Sequence, residues 1–249
     1  MGEKGSHRYL RSHHTFNKDT KHGVIRGQNV YSEDQDGNPI YDFSNINKVF
    51  QSYVKNGIKP IVEYDYIPEL LINNVVEFST GNDEGMTIIN TGPNDWKKWS
   101  DLMKAITQNF IDQFGTEEVR SWFFEVWNEP DGWPNDQLEI FYKMYDVFVD
   151  AVKSVDSELR VGGPACYHEY FLKSFLNHVT NGINYVTGKK GTQIDFISYH
   201  IYGLSGKWLN KAPHIQPQVQ RFTLSVLWLQ RLSLIHISEP TRQEAISYA

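Results

Sequence analysis

The sequence predicts an α/β fold built on a parallel sheet. Runs of strand-forming residues alternate along the chain with segments whose apolar residues recur at helical spacing. Strands that alternate with helices in this way pair in parallel through right-handed crossovers. The length of 249 residues suits one α/β barrel or two smaller domains, and the content of 40% hydrophobic and 22% charged residues is typical of a globular protein.

Five strands and four helices are predicted in chain order, and residues 214–231 fit a further, partial helix. Each strand is a short run that stops at a turn or at polar residues: residues 8–13, 59–64, 122–127, 160–164 and 195–202. Each helix carries apolar residues three and four positions apart: residues 43–55, 96–114, 138–155 and 170–179. Asp95 caps the second helix and Gly115 ends it. A turn at residues 36–39 and a long loop through Gly81, Gly85 and Gly92 complete this part.

The residues around Glu129 carry most of the functional information. Six strand-forming residues precede Asn128, and Pro130 cannot donate to a sheet ladder, so Glu129 lies at the carboxyl end of a strand. Active sites of parallel α/β folds lie at such ends. A carboxyl beside Trp127, in a pocket of low polarity, would keep its proton near neutral pH and suit proton donation to a glycosidic oxygen. The local sequence fits equally a carboxylate that caps the free amides of a helix start.

Five motifs occur together, in this order: Arg11-Ser-His13; Glu63 with Tyr66 and Pro68; FEVWNEP at 124–130; RVGGPA at 160–165; and DFISYHIY at 195–202. As a set they resemble glycoside hydrolase family 39. That family contains β-xylosidases and α-L-iduronidases and belongs to a clan of retaining glycosidases with (β/α)8 barrels. Residues 30–43 also resemble the second βα loop of the family, and the resemblance covers residues 8–203.

The resemblance implies a fold and a set of residue roles. The fold would be an incomplete (β/α)8 TIM barrel whose five strands are equivalent to the second to sixth of the family. Glu129 would be the general acid/base, and Asn128 would hydrogen-bond the sugar hydroxyl next to the anomeric carbon. Substrate-binding residues from other strands would line the cleft: Arg11, His13, Glu63, His200 and Tyr202. Trp133, in the loop after Glu129, is a candidate sugar platform because active sites lie on such loops.

The implied activity is that of a retaining, exo-acting, β-xylosidase-like glycoside hydrolase. Its partner would be a carbohydrate substrate, such as a xylo-oligosaccharide. An α-L-iduronidase-like specificity, a non-catalytic carbohydrate-binding barrel and an inactive fragment are the alternatives. The nucleophile of the clan is a second glutamate at the end of the seventh strand. We predict no seventh strand, because the last predicted strand, residues 195–202, is equivalent to the sixth strand of the family. A closed barrel of this kind needs eight strands.

The last 18 residues, 232–249, form a separate prediction. Residues 232–242 and 246–249 resemble the translation of a transposon-based sequencing adapter, and residues 243–245 fit a sample index in the same frame. We therefore expect a partial glycosidase barrel over residues 1–231, without the first strand of the family, and a non-native tail over residues 232–249 that packs poorly. On this interpretation Glu239, which lies in the tail, is not the nucleophile.

Charge and composition argue against several other classes. The net charge of −6 disfavours nucleic acid or an anionic membrane as a partner, and no apolar run reaches transmembrane length. Cys166 is the only cysteine, so no internal disulfide can form and cysteine usage does not indicate a compartment. The histidines near the start of the chain match no zinc pattern, and we expect neither a metal nor a cofactor.

Overall fold

The structure, a computed structural model, describes residues 8–13, 15–16, 30–73, 76–80, 83–88, 92–132, 138–200 and 233–237. The strands in these ranges are β1 (Tyr9–Arg11), β2 (Tyr31–Glu33), β3 (Pro39–Tyr41), β4 (Lys59–Tyr64), β5 (Val76–Thr80), β6 (Asp83–Ile88), β7 (Phe123–Val126), β8 (Arg160–Cys166), β9 (Phe196–His200) and β10 (Ser233–Ile237). The helices are α1 (Ser44–Lys55), α2 (Trp96–Phe114), α3 (Thr116–Arg120), α4 (Leu138–Val155) and α5 (Glu169–Asn181). Short 3₁₀ turns cover Glu69–Leu71 and Pro130–Gly132.

One parallel sheet forms the centre of the fold. Its strand order is β1-β4-β7-β8-β9-β10, and every neighbouring pair is parallel. The order across the sheet follows the order along the chain, and at least one helix lies between consecutive sheet strands from β1 to β9. This is the arrangement of a (β/α)8 barrel. The predicted incomplete barrel is confirmed, since β1, β4, β7, β8 and β9 match the five predicted strands.

Two hairpins and one further strand differ from the expectation. The antiparallel pairs β2–β3 and β5–β6 lie where only a turn and a long loop are predicted. Strands β2 and β3 have three residues each, too few for an alternating pattern to show. Strand β10 pairs with β9 from Ser233 opposite Phe196 to Ile237 opposite His200. Strand β10 falls within residues 232–249, and the adapter-derived origin of those residues stays a prediction. The predicted partial helix at residues 214–231 lies outside the described residues.

Helix α2 begins and ends as its sequence predicts. The Asp95 side chain accepts hydrogen bonds from the backbone N–H groups of Lys97 and Lys98, both at 2.9 Å. These bonds satisfy two of the amides that a helix start leaves without a partner in the helix. Gly115 follows the last turn with φ of 83°, a conformation that glycine adopts without strain.

The helices bury their apolar sides against one face of the sheet. Aromatic rings from several elements meet there: the ring centroids of Phe50 and Phe110 are 4.8 Å apart, and those of Phe110 and Trp122 are 5.5 Å apart. Trp99 is also fully buried, so Trp99 and Phe110 have the packing roles that aromatic residues in a helix most often have. No helix in the described part of the chain is long and apolar enough to cross a membrane.

The other face of the sheet has an apolar layer and a polar layer. Ile61, Phe123 and Phe196 form a small buried cluster at the start of their strands. Side chains two residues apart on a strand point to the same face. The next residues on this face are therefore Glu63, Glu125 and Ser198, all fully buried. The alternation of the strands thus places polar groups directly above the apolar cluster, toward the carboxyl ends.

Gly162 allows close contact between β8 and β9. It lies opposite Phe196 in the strand register, and a Cβ atom at position 162 would be 2.3 Å from the Phe196 carbonyl oxygen. Because that oxygen belongs to the backbone of a central strand, one of the two strands would have to move. Glycine at this position is therefore required by packing between strands.

We expect Gly162→Ala to lower the free energy of unfolding by about 1–3 kcal/mol, the usual effect of overpacking a core. Urea denaturation followed by circular dichroism measures this change. Gly132→Ala is the matched control, because a Cβ atom there meets nothing within 4 Å, and it should change stability by about 0.5 kcal/mol at most. Equal stability of the two variants would contradict the close approach of β8 and β9.

Candidate functional site

Most of the predicted site residues lie at one edge of the sheet. Parallel strands bring their carboxyl ends to the same edge. Six predicted residues are at or just beyond the ends of four strands: Arg11 and His13 (β1), Glu63 (β4), Asn128 and Glu129 (β7) and His200 (β9). Trp133 and Tyr202, the two remaining predictions, lie outside the described residues.

Arg11 links three of the strand ends. Its guanidinium forms an ion pair with Glu63, contacts Oε1 of Glu125 through Nε at 2.5 Å and donates from Nη1 to Oδ1 of Asn128 at 3.1 Å. The Arg11 side chain is 9% exposed and both carboxylates are fully buried. A planar guanidinium can donate in several fixed directions at once, which a lysine ammonium cannot do in the same geometry.

Glu125 belongs to this network and was not among the predicted site residues. It lies opposite Glu63 in the register between β4 and β7, so both carboxylates face the same side. Ser198, on β9, donates from Oγ to Oε2 of Glu125 at 2.6 Å and accepts from the Ala165 backbone N–H at 3.1 Å. The sequence does contain a signal for Glu125, which is a charged residue inside the otherwise apolar strand at residues 122–127. A charged residue in such a place is rarely buried without a partner.

His13 contacts two buried carboxylates, and the three residues together resemble a set of metal ligands. Its Nδ1 contacts Glu63 and lies 2.6 Å from Oδ2 of Asp65. Atoms that could bind a cation, one from each of these three residues, lie within 4.8 Å of one another. However, Arg11 already neutralises Glu63, and Asp65 accepts the Thr15 backbone N–H at 3.1 Å. A cation would have to displace these contacts, and we retain the prediction that this site works without a metal.

Asn128 is held from two sides. Arg11 donates to its side-chain oxygen, and the Tyr66 hydroxyl also hydrogen-bonds the amide. Burial raises the pKa of Tyr66, so its hydroxyl stays protonated. The Tyr66 ring packs edge-to-face on Trp127 with 4.8 Å between centroids. The orientation of the Asn128 amide is therefore fixed by a charged donor, a phenol and an aromatic contact.

Glu129 and His200 form the contact at the centre of this edge. Nδ1 of His200 lies 2.8 Å from Oε1 of Glu129. The His200 side chain is 1% exposed, whereas the Glu129 side chain is 26% exposed. The carboxyl group is thus open to a ligand on one side and held by a buried imidazole on the other. Such a pair can give and take a proton at a fixed position.

The backbone around Glu129 has an unusual conformation. Trp127 and Glu129 have φ values of 68° and 49°, in the left-handed region that residues with a Cβ atom seldom adopt. The Glu129 N–H donates to the Ala165 carbonyl at 3.1 Å, and its carbonyl accepts from Gly132 at 3.1 Å. Strained residues held by their surroundings cluster at functional sites. In this conformation the Glu129 side chain contacts His200.

Helix capping was the alternative role for Glu129, and in the structure Asp131 is the residue that accepts backbone N–H groups beside the start of α5. Its Oδ2 accepts the N–H groups of Tyr167 at 2.9 Å and His168 at 2.6 Å, and it lies 3.0 Å from Nδ1 of His168. Burial raises the pKa of Asp131, against the opposing effect of these bonds. Asp131 therefore ties the loop after β7 to the loop after β8.

Carboxyl groups outnumber lysine and arginine side chains at the described part of this edge. Five carboxyl groups lie there: Glu63, Asp65, Glu125, Glu129 and Asp131. Among the described residues at the carboxyl ends of the strands, Arg11 is the single lysine or arginine. Its charge is already shared between two carboxylates. This part of the site therefore disfavours an anionic ligand and accepts a neutral one.

We expect Arg11→Met to lower the free energy of unfolding by about 3–5 kcal/mol, because it leaves Glu63 and Glu125 buried without their cation. Thermal and urea denaturation measure this loss. Arg8→Met is the control, since Arg8 is exposed and only lies over the Tyr9 ring at 5.7 Å. It should cost about 1 kcal/mol or less. Equal losses in the two variants would contradict the central role of Arg11.

Comparison with known proteins identifies the relatives of this chain. A family model described as Glycosyl hydrolases family 39 matches residues 4–224. A β-xylosidase of Geobacillus stearothermophilus is 34% identical over 219 residues, which cover 85% of this chain and 38% of the relative. Human α-L-iduronidase is 31% identical over 115 residues, which cover 43% of this chain and 18% of the relative.

A solved structure gives the same result for the fold. The crystal structure of a monomeric β-xylosidase from Caulobacter crescentus CB15 matches with a TM-score of 0.67 and 28% sequence identity. The match covers 92% of this chain and 45% of that chain. The chain thus spans less than half the length of the relatives that it matches.

Proposed function

The chain belongs to glycosyl hydrolases family 39, and on that premise we propose that it carries the acid/base side of a retaining, exo-acting, β-xylosidase-like active site. The observation that carries the proposal is the contact between Glu129 and His200 at the carboxyl ends of the strands. It combines a partly exposed carboxyl group with a buried partner, in the place where α/β barrels have their active sites.

In the proposed mechanism Glu129 acts twice. It first protonates the glycosidic oxygen as the leaving group departs, and it later removes a proton from the water that releases the sugar. A second carboxylate attacks the anomeric carbon, and in retaining enzymes it stands roughly 5–5.5 Å from the first. We assign that nucleophile to a glutamate on a strand that follows β9 in the complete barrel.

Asn128 has the role of a sugar-binding residue in this proposal. Arg11 donates to the Asn128 side-chain oxygen, and the Asn128 amide also hydrogen-bonds the Tyr66 hydroxyl. An amide nitrogen has two N–H groups, so one can serve Tyr66 and the other a ligand. A hydroxyl next to the anomeric carbon would accept from this other N–H group, beside the carboxyl of Glu129. Such a bond contributes to catalysis when it strengthens as charge develops on the ring. His13, Glu63 and Arg11 then support this cleft.

Two observations favour a neutral pentose over a uronic acid. The described edge has five carboxyl groups and one arginine, so the carboxylate of a uronate would meet repulsion here. The match to the β-xylosidase also covers 85% of the chain, about twice the 43% covered by the match to α-L-iduronidase. An iduronidase-like specificity and a non-catalytic carbohydrate-binding barrel remain the alternatives. Activity on aryl α-iduronides would favour the first, and activity on neither aryl α-iduronides nor aryl β-xylosides would favour the second.

We expect Glu129→Ala, in the enzyme encoded by the complete gene, to slow hydrolysis of β-xylosides with poor leaving groups by about 10²–10⁴-fold. Substrates with good leaving groups, such as dinitrophenyl β-xyloside, should lose much less in the first step because they depart without protonation. Initial rates over a series of aryl β-xylosides measure this dependence. Glu117→Ala, at a glutamate whose side chain is 93% exposed, is the control. Loss of activity that is equal for all leaving groups would argue against an acid at position 129.

We expect the chain of 249 residues by itself to hydrolyse neither aryl β-xylosides nor aryl α-iduronides, because a double displacement needs its nucleophile. The 231-residue truncation and the complete enzyme are assayed beside it. Turnover by the present chain that Glu239→Gln abolishes would make Glu239 the nucleophile and would overturn the prediction of a non-native tail.

A further inference from the structure

We propose that Tyr167, His168 and Tyr170 form a binding platform for the sugar of the leaving group, directly beside Glu129. The ligand is a neutral pyranose, such as the second xylose unit of xylobiose. This inference rests on the proposed function, because it concerns the part of the substrate whose oxygen Glu129 protonates. None of the three residues was among the predicted site residues.

The platform lies next to Glu129 in the fold. It begins one residue after β8 and continues into the first turn of α5, at the same edge of the sheet as Glu129. The backbone N–H of Glu129 donates to Ala165, two residues before Tyr167. Burial raises the pKa of Tyr167, and the charges of Asp131 and Glu129 raise it further, in agreement with this closeness.

The three rings make one exposed aromatic surface. Tyr167 is 43% exposed, Tyr170 is 52% exposed, and the His168 side chain is 43% exposed. The ring centroids of Tyr167 and His168 are 3.9 Å apart, and those of His168 and Tyr170 are 5.1 Å apart. Single exposed aromatic residues are common, but three in contact beside an active site indicate a ligand surface.

Asp131 holds this surface in place. Its buried carboxylate accepts the backbone N–H groups of Tyr167 and His168 and contacts the His168 ring. Its backbone carbonyl accepts the Tyr170 hydroxyl at 3.4 Å. Because Asp131 lies two residues after Glu129, the same short segment positions the carboxyl group and the platform. A surface that is already ordered loses little conformational entropy when a ligand binds.

The chemistry of the substrate determines what the platform can bind. The oxygen that Glu129 protonates belongs to the leaving group, so the leaving group lies on the Glu129 side of the cleft. A pyranose ring in its chair form presents C–H groups on its faces, and these pack on the faces of aromatic rings. The negative charge of this edge again favours a neutral sugar.

Titration calorimetry with xylose and xylobiose tests the platform on the 249-residue chain, with circular dichroism to verify that each variant folds. We expect xylobiose to bind about tenfold more tightly than xylose, the equivalent of about 1.4 kcal/mol. Tyr167→Ala and Tyr170→Ala should remove this advantage, so that xylobiose binds no more tightly than xylose. Tyr167→Phe and Tyr170→Phe, which keep the rings, should retain it.

Tyr185→Ala is the matched control, since Tyr185 is 46% exposed and lies in the loop after α5, away from Glu129. It should leave the binding of both sugars unchanged. If the alanine variants at 167 and 170 keep the full advantage of xylobiose, the platform is wrong and the proposed function stands. If neither sugar binds to the unaltered chain, the platform is overturned, whereas the proposed function is decided by the leaving-group series measured on the complete enzyme.

Discussion

One buried cation organises the functional edge of this fold. Arg11 contacts Glu63 and Glu125, which are fully buried, and it also donates to Asn128. A buried carboxylate without a cation costs several kcal/mol, so neither glutamate could occupy this face alone. Glu125 and Asn128 belong to the segment that leads into Glu129. The contact that neutralises the buried charges therefore also fixes the place where the Glu129 side chain leaves the sheet.

The alternation of the strands explains why the charges lie above an apolar layer. Ile61 and Phe123 face the same side as Glu63 and Glu125, two residues later on the same strands. The apolar layer packs the lower part of the sheet and keeps water from the ion pairs above it. Ion pairs in such surroundings hold their geometry firmly because few alternative partners are available. The register between β4 and β7 therefore determines both the packing of the apolar layer and the positions of the buried carboxylates.

Local sequence signals gave the framework of the fold but not the contacts between distant strands. Pro130 marks the end of the strand before Glu129, and Asp95 marks the start of α2, because both effects act within a few residues. Glu125 and Ser198 are 73 positions apart, and their hydrogen bond depends on the register of three strands. No local pattern contains that register. The hairpin β2–β3 was missed for a different reason, since strands of three residues show no period.

The loops after β7 and β8 behave structurally as one unit. The Glu129 backbone is bonded to Ala165, and the Asp131 carboxylate is bonded to Tyr167 and His168. A displacement of either loop would break hydrogen bonds to buried groups, which is costly. The proposed acid/base and the proposed platform thus keep a fixed distance before any ligand arrives. A retaining mechanism also needs a second carboxylate on the opposite face of the sugar ring. In the described part of these two loops the other carboxyl group is that of Asp131, which is already bonded to the Tyr167 and His168 backbone, and we therefore assign the second carboxylate to another strand.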